Sequence, residues 1–289
     1  YLRAQVDAHF TQYYAYPLWL NPAFTGAIDG NYRVTANYRR QLPGIITPFY
    51  TQGLTADLAL PKNFGVGLTI LNQATEDGSY HYTSGYLSVA YQVRLTQFKV
   101  LRAGFQLGML NRRVDPSKLQ YGNQFNPVIG YDPSMPSNEI FTYKSATSSD
   151  GSLGILYFDG NPSKSFNPFI GVSLYHPTQP NNKFLSGSND NKVPMRYSIH
   201  GGVRLKLSES ADLTPHAIYM HQGNSNETAG GIAINLKLDG DKDLIAGGVY
   251  RFNDAVAPNI GLRVNGLTIG LSYDVNVSQF KTVSSGSGG

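Results

Sequence analysis

The chain has 289 residues and a formal charge of +4; only 15% of its residues are charged, and none of them is cysteine. The lack of cysteine excludes a disulfide scaffold and thiolate metal sites, and the dispersed positive charge argues against a nucleic-acid surface. No apolar run approaches the ~20 residues of a membrane helix, so any passage through a membrane falls to strands.

The first residues, Tyr1-Leu2-Arg3-Ala4-Gln5, read as the tail of a secretory signal peptide, with a small residue at Ala4 suited to cleavage. Residues 9–26 follow, dense in aromatic rings and broken by Pro17 and Pro22. Proline in a helix interior removes a backbone donor and clashes with the preceding turn. This stretch is therefore expected to be ordered, irregular and pressed against another surface.

From about residue 31 the pattern turns monotonous. Segments of roughly 8–13 residues alternate apolar and polar positions between turn residues, the signature of half-buried strands. In 196–207, Tyr197, Ile199, Val203 and Leu205 oppose Arg196, Ser198, His200, Arg204 and Lys206. Residues 82–95 and 267–276 show the same division. Strands are predicted at 31–39, 49–60, 63–74, 81–94, 100–112, 152–158, 166–176, 196–207, 212–221, 229–237, 243–250, 259–264 and 267–276. Short connections (61–62, 95–99, 159–165, 208–211, 238–242 and the turn Asn265-Gly266) alternate with mostly longer ones (40–48, 73–80, 113–151, 177–195, 222–228 and 251–258). Outer-membrane barrels segregate tight periplasmic turns from long extracellular loops in this way. The fold class is thus all-β: a transmembrane outer-membrane β-barrel, in contact with outer-membrane lipid. An odd strand count is at variance with the even number of bacterial single-chain barrels, so either the count is off by one or a closing strand follows Gly289.

No catalytic, cofactor or metal constellation stands out. The six histidines show no paired-ligand spacing, and His216 and His221, five apart in one strand, face opposite sides. Residues 186–191 carry oxygen ligands but lack the spacing of a calcium loop, and Asn226-Glu227-Thr228 is a short sequon that arises readily by chance. Loop 113–151 is unusually long for a connection without elements of its own. Its Tyr121, Phe125, Tyr131, Phe141 and Tyr143 mark it as a partner-binding loop.

Two terminal motifs carry a family resemblance. His9-Phe10-Thr11-Gln12-Tyr13, Pro17-Leu18 and Leu20-Asn21-Pro22-Ala23-Phe24-Thr25-Gly26 resemble the N-terminal signature of the PorP/SprF outer-membrane proteins. Residues 270–278 with Lys281-Thr282 resemble that family's penultimate strand and the start of its final loop. The resemblance implies a fourteen-stranded barrel whose last strand follows a Gly-rich loop. In this sequence the chain stops at Ser284-Ser285-Gly286-Ser287-Gly288-Gly289, where that strand is due, so the sequence is expected to be incomplete.

The resemblance also implies a non-enzymatic component of type IX secretion and gliding motility. Such a component anchors or presents a secreted surface adhesin, or couples to the translocon. The alternative is a diffusion pore, with Arg196, Arg204, Lys206 and Arg263 lining a channel. Two regions are expected: 1–30, a signal-peptide remnant and lumen plug, and 31–289, the barrel. The plug residues are His9, Phe10, Gln12, Tyr13, Tyr14, Pro17, Trp19, Asn21, Pro22 and Phe24, shielded from lipid inside the barrel because irregular backbone is tolerated at membrane depth only there.

Overall fold

A strand bounded by hydrocarbon on one side and an enclosed polar space on the other has to change polarity at every residue, because successive side chains point to opposite faces. The computed structural model, which describes residues 7–41, 47–126, 128–138, 144–181 and 192–278, is built from such strands. They are β1 (Tyr32–Gln41), β2 (Phe49–Ala59), β3 (Phe64–Thr75), β4 (Tyr80–Arg94), β5 (Lys99–Val114), the two-residue strands β6 (Phe125–Asn126) and β7 (Gly130–Tyr131), β8 (Ser145–Asp159) and β9 (Phe166–Tyr175). The series continues with β10 (Arg196–Lys206), β11 (Ala211–Gln222), β12 (Ser225–Lys237), β13 (Lys242–Arg251), β14 (Ala255–Val264), β15 (Leu267–Ser272) and β16 (Val275–Asn276).

All except β6 and β7 form one antiparallel sheet of fourteen segments, a meander in which β1 to β15 pair in chain order and β16 pairs with β14. Both β15 and β16 pair with β14 and are two parts of one physical strand, interrupted at Tyr273-Asp274. The sheet curls round on itself: Arg39 of β1 donates to Asp274, at the far end of the meander, at 2.8 Å.

The polarity of this sheet is the reverse of a water-soluble protein. Leu87, Leu107 and Ile155 point outward and are 69%, 57% and 50% exposed. Thr55, Thr69, Gln106 and Ser152 point inward and are buried. Contiguous apolar surface of this extent requires an apolar surrounding, and the arrangement is that of a barrel with lipid outside and polar groups within.

At the turns, Asn265 and Gly266 both adopt positive φ (49° and 82°), the geometry of a tight two-residue hairpin. Several connections differ from the sequence reading. Strand β8 starts at Ser145 rather than 152, with Arg113 opposite Ser145. Its first half carries serine, threonine and alanine on both faces, so no apolar alternation marks it. The connections after β11 and β13 shrink to 223–224 and 252–254, and that after β3 to 76–79. The difference between the two ends therefore rests on three connections, 42–48, 115–144 and 176–195. Within the second lie two short 3-10 turns, Pro116–Lys118 and Gly122–Gln124, and the β6–β7 hairpin. Residues 186–191 lie outside the described residues, and so do Phe141 and Tyr143.

Leu107 sits midway along β5 on the outer face, next to inward Gln106. Leu107→Arg is expected to cost ~2–4 kcal/mol, the penalty for a cation on the lipid face of a barrel near the bilayer midplane. Urea titration of protein folded into lipid vesicles measures it; an unchanged midpoint would mean that this face does not meet lipid.

Candidate functional site in the barrel interior

The segment from Asp7 to Gly26 runs through the interior from the long-loop end to the short-turn end. Its two prolines start turns rather than break them. Pro17 opens the single helical turn Pro17–Leu20, and Pro22 opens the 3-10 turn Pro22–Phe24. Proline suits a first helical position because the missing donor has no partner there. The Asn21 side chain caps the second turn by accepting from the Ala23 amide at 2.9 Å.

A coil inside a barrel has to satisfy its backbone groups without water, and inward side chains meet that demand. Gln106 donates to the Leu18 carbonyl at 3.1 Å, Ser173 to Leu20 at 2.9 Å and Arg102 to Ala23 at 2.9 Å. Arg39 donates to the His9 carbonyl at 2.8 Å, and Asp57 accepts from the Gly26 amide at 2.7 Å. In the other direction, Asn21 donates to the carbonyls of Ile155 and Val172 at 3.0 and 3.1 Å, and Tyr16 to that of Ile70 at 2.8 Å. The fit is close at Gly104 and Gly154. A Cβ on Gly104 would collide with the Pro22 backbone, and one on Gly154 with the Asn21 side chain. Only glycine admits the turn at these positions.

The aromatic residues divide between two walls. Phe10 packs edge-on against Tyr16, with centroids 5.0 Å apart, and Trp19 lies beside Tyr86 and Tyr175. On the opposite side Tyr13 hydrogen-bonds His216, Tyr14 packs edge-on to the same imidazole, and Phe24 stacks on His200 at 5.5 Å. His9 lies 3.8 Å from Glu227, and Gln12 faces β15 beside Gly270.

At the long-loop end the segment is held by a buried ionic cluster that the sequence did not single out. The Asp7 carboxylate lies 2.7 Å from His176 Nε2, 3.2 Å from Arg196 Nη1 and 4.0 Å from Arg112 Nη2. His176 Nδ1 contacts Asp150 at 2.7 Å, and Tyr86 donates to the same carboxylate oxygen at 2.6 Å. Burial alone would push the His176 imidazole down, but the carboxylates of Asp7 and Asp150 hold it up at about 9. Burial would likewise raise Asp7, and the charges of His176 and Arg196 override it, keeping the carboxyl well below its ordinary range. With both ring nitrogens donated to carboxylates, His176 acts as a cationic clamp and has no lone pair with which to accept a proton.

The four basic residues considered for a channel are engaged. Arg196 is buried over the Tyr175 and Trp19 rings, Arg204 donates to Asn167, Lys206 to Glu209 and Arg263 to Asp243. In loop 115–144, Tyr121 folds back to donate to the Pro116 carbonyl at 3.2 Å, and Phe125 and Tyr131 pair across the β6–β7 hairpin at 5.7 Å.

The sequence profile of the family described as type IX secretion system membrane protein PorP/SprF matches residues 2–288. The chain belongs to the PorP/SprF family. No match is found among curated protein sequences. Among solved structures, the toluene transporter TbuX of Ralstonia pickettii is similar, with a TM-score of 0.50 and 10% identity over 90% of this chain and 88% of that one. The CymD monoaromatic hydrocarbon channel gives 0.49 and 10% over 94% and 90%, and KdgM porin 0.41 and 7% over 76% and 91%. At 10% identity the likeness to TbuX concerns the fold alone. This PorP/SprF protein is an outer-membrane β-barrel of a secretion-system family.

Removing one partner of a buried ion pair strands the other charge, so Asp7→Asn is expected to cost ~3–5 kcal/mol. The pH dependence has a definite sign. The His176 contribution is complete below its ordinary value of 6.5 and is lost as pH rises through about 9. That of Asp7 is complete above 3.8 and is lost as pH falls below it. Urea midpoints measured from about pH 6 to about pH 10 should fall on the alkaline side for the native protein and stay flatter for His176→Gln. Equal slopes would remove the clamp. Separately, Gly154→Leu should release residues 9–26, read as new protease cleavage there in an otherwise folded barrel.

Proposed function

We propose that this protein is a non-enzymatic, plugged outer-membrane barrel of type IX secretion. It holds a secreted surface protein at the cell surface, or couples the exported cargo to the translocon, and it does not serve as a diffusion pore. It reaches the outer membrane by export with a signal peptide. The observation that carries this reading is the path of residues 9–26, hydrogen-bonded to the inward faces of the strands through the full depth of the lumen. His9, Phe10, Gln12, Tyr13, Tyr14, Pro17, Trp19, Asn21, Pro22 and Phe24 act as the plug. The short turns face the periplasm and the long loops the exterior, following the convention of such barrels. On the outer side, loop 115–144 presents Phe125, Val128 and Ile129, exposed by 52%, 90% and 67%, as an apolar surface for the partner, together with Tyr121 and Tyr131.

Planar-bilayer recording tests the plug. The native protein should show no large stable conductance, and deletion of residues 9–26 should produce it; a large stable conductance from the native protein would favour the pore. Deleting 118–142, between the stems of β5 and β8, should release the cognate surface protein into the medium while the barrel still folds. Unchanged retention would remove the loop from the partner site.

A further inference from the structure

The plug does not fill the lumen evenly. It leans on β4, β5 and β8, against which the turn Pro22–Phe24 packs, and leaves a cavity of about 850 Å³ between its other face and β10–β12. Tyr13, Tyr14, Leu20 and Phe24 form the roof, and His200, His216 and Ala233 the far wall. Asp29 and Gly160, beside β1 and β8 at the short-turn end, place the mouth on that side. Volumes of this order are those of small-molecule sites.

The charges at the wall are already consumed. Arg33 makes two hydrogen bonds to Asp57, at 2.9 and 2.8 Å, and a third to the Phe24 carbonyl. His200 is met by Asn21 and His216 Nδ1 by Tyr13, while His216 Nε2 is buried without a hydrogen-bond partner. The other charged lining residue, Asp29, is exposed at the rim. An ionic ligand would lose its hydration and meet no unpaired charge among the described lining residues inside the cavity. Two lining hydroxyls, those of Tyr14 and Thr214, make no hydrogen bond among the described residues. The cavity is broad, reaching from Arg33 on β1 to Ala233 on β12, and rings from Tyr13, Tyr14, Phe24, Phe158 and Phe169 offer edge and face contacts. A single acyl chain would leave most of this width empty.

The geometry points to a binding site, entered from the short-turn side, for an uncharged ring-bearing apolar molecule that carries a hydroxyl or carbonyl group. The rings pack among the aromatic side chains, and the polar group meets the hydroxyls of Tyr14 and Thr214. The assignment rests on the cavity and not on the secretion role.

Benzophenone, an uncharged two-ring ketone that inserts into nearby C–H bonds on irradiation, is a suitable probe. Irradiation of the full chain in lipid nanodiscs, followed by peptide mass spectrometry, should place adducts on Phe24, Leu156 or Phe169. Ala233→Trp, which fills the far wall, should abolish them. Tyr14→Phe with Thr214→Val should raise the half-saturating benzophenone concentration about five- to tenfold, the effect of losing one net hydrogen bond. Excess 2-naphthol should compete, and excess dodecanol should not. Heat-modifiable gel migration establishes that each variant is folded; if Ala233→Trp does not fold, the hydroxyl double variant and the competition decide. Labelling confined to outward residues such as Leu107, inward labelling unchanged in the folded variants, or competition by dodecanol alone would each overturn the site.

Discussion

The interior of this barrel depends on one requirement: an irregular backbone at membrane depth has to find every hydrogen-bond partner inside the protein, because lipid offers none and an unmet polar group there costs several kcal/mol. The segment from Asp7 to Gly26 has neither the internal pairing of a long helix nor a place in the sheet. Its carbonyls are taken by Gln106, Ser173, Arg102, Arg39 and Arg33, side chains drawn from β1, β5 and β9. The inward polarity of the wall is thus more than a lining for water. It is the set of partners that makes an ordered coil possible there.

Three charged groupings divide that work by height. Asp7, His176, Asp150, Arg112 and Arg196 hold the start of the segment at the long-loop end. Asp274 bridges Arg39 and Arg251 at 2.8 and 2.6 Å and fixes the two ends of the meander relative to each other. Asp57, Arg33 and Arg102 hold Ala23 to Gly26 near the short-turn end. Buried ion pairs give little net stability compared with apolar packing, but they penalise any arrangement that separates the partners. Their effect here is on register: they specify one seating of the segment against strands whose inner faces otherwise look much alike.

The sequence made legible what lipid dictates. Strands β4, β10 and β15 alternate because each alternate side chain meets hydrocarbon, and the Asn265-Gly266 turn is legible because its conformation restricts the residues that fit. Where the sheet leaves the lipid, the rule loses its cause. The first half of β8 is held by pairing with β5, and its serines and threonine carry no pattern. The Asp7 cluster was invisible for a different reason. Asp7 and His176 are 169 positions apart, and their proximity arises only when the strands curl into a ring. Glycines such as Gly154 read as ordinary strand residues until the turn that needs them lies alongside.

The unequal filling of the lumen divides the segment's contacts into two kinds. On the β2–β9 side the segment is bonded and sterically matched, so a displacement there breaks several hydrogen bonds at once and brings Pro22 or Asn21 into collision with neighbouring wall atoms. On the β10–β12 side, next to the cavity, ring contacts of Tyr13 and Tyr14 at His216 and of Phe24 over His200 are joined by single hydrogen bonds between Tyr13 and His216 and between Asn21 and His200. Ring contacts of this kind each add only about 0.5–1.5 kcal/mol beyond the area they bury. The open cavity thus lies opposite the segment's densest contacts, those with β5 and β8. The Asp7 cluster joins the stems of both long loops, through Arg112 and Asp150 on one and His176 and Arg196 on the other, so the start of the segment and the bases of those loops share one set of contacts. The polar network thus fixes where the segment sits and ties that seating to the outer loops.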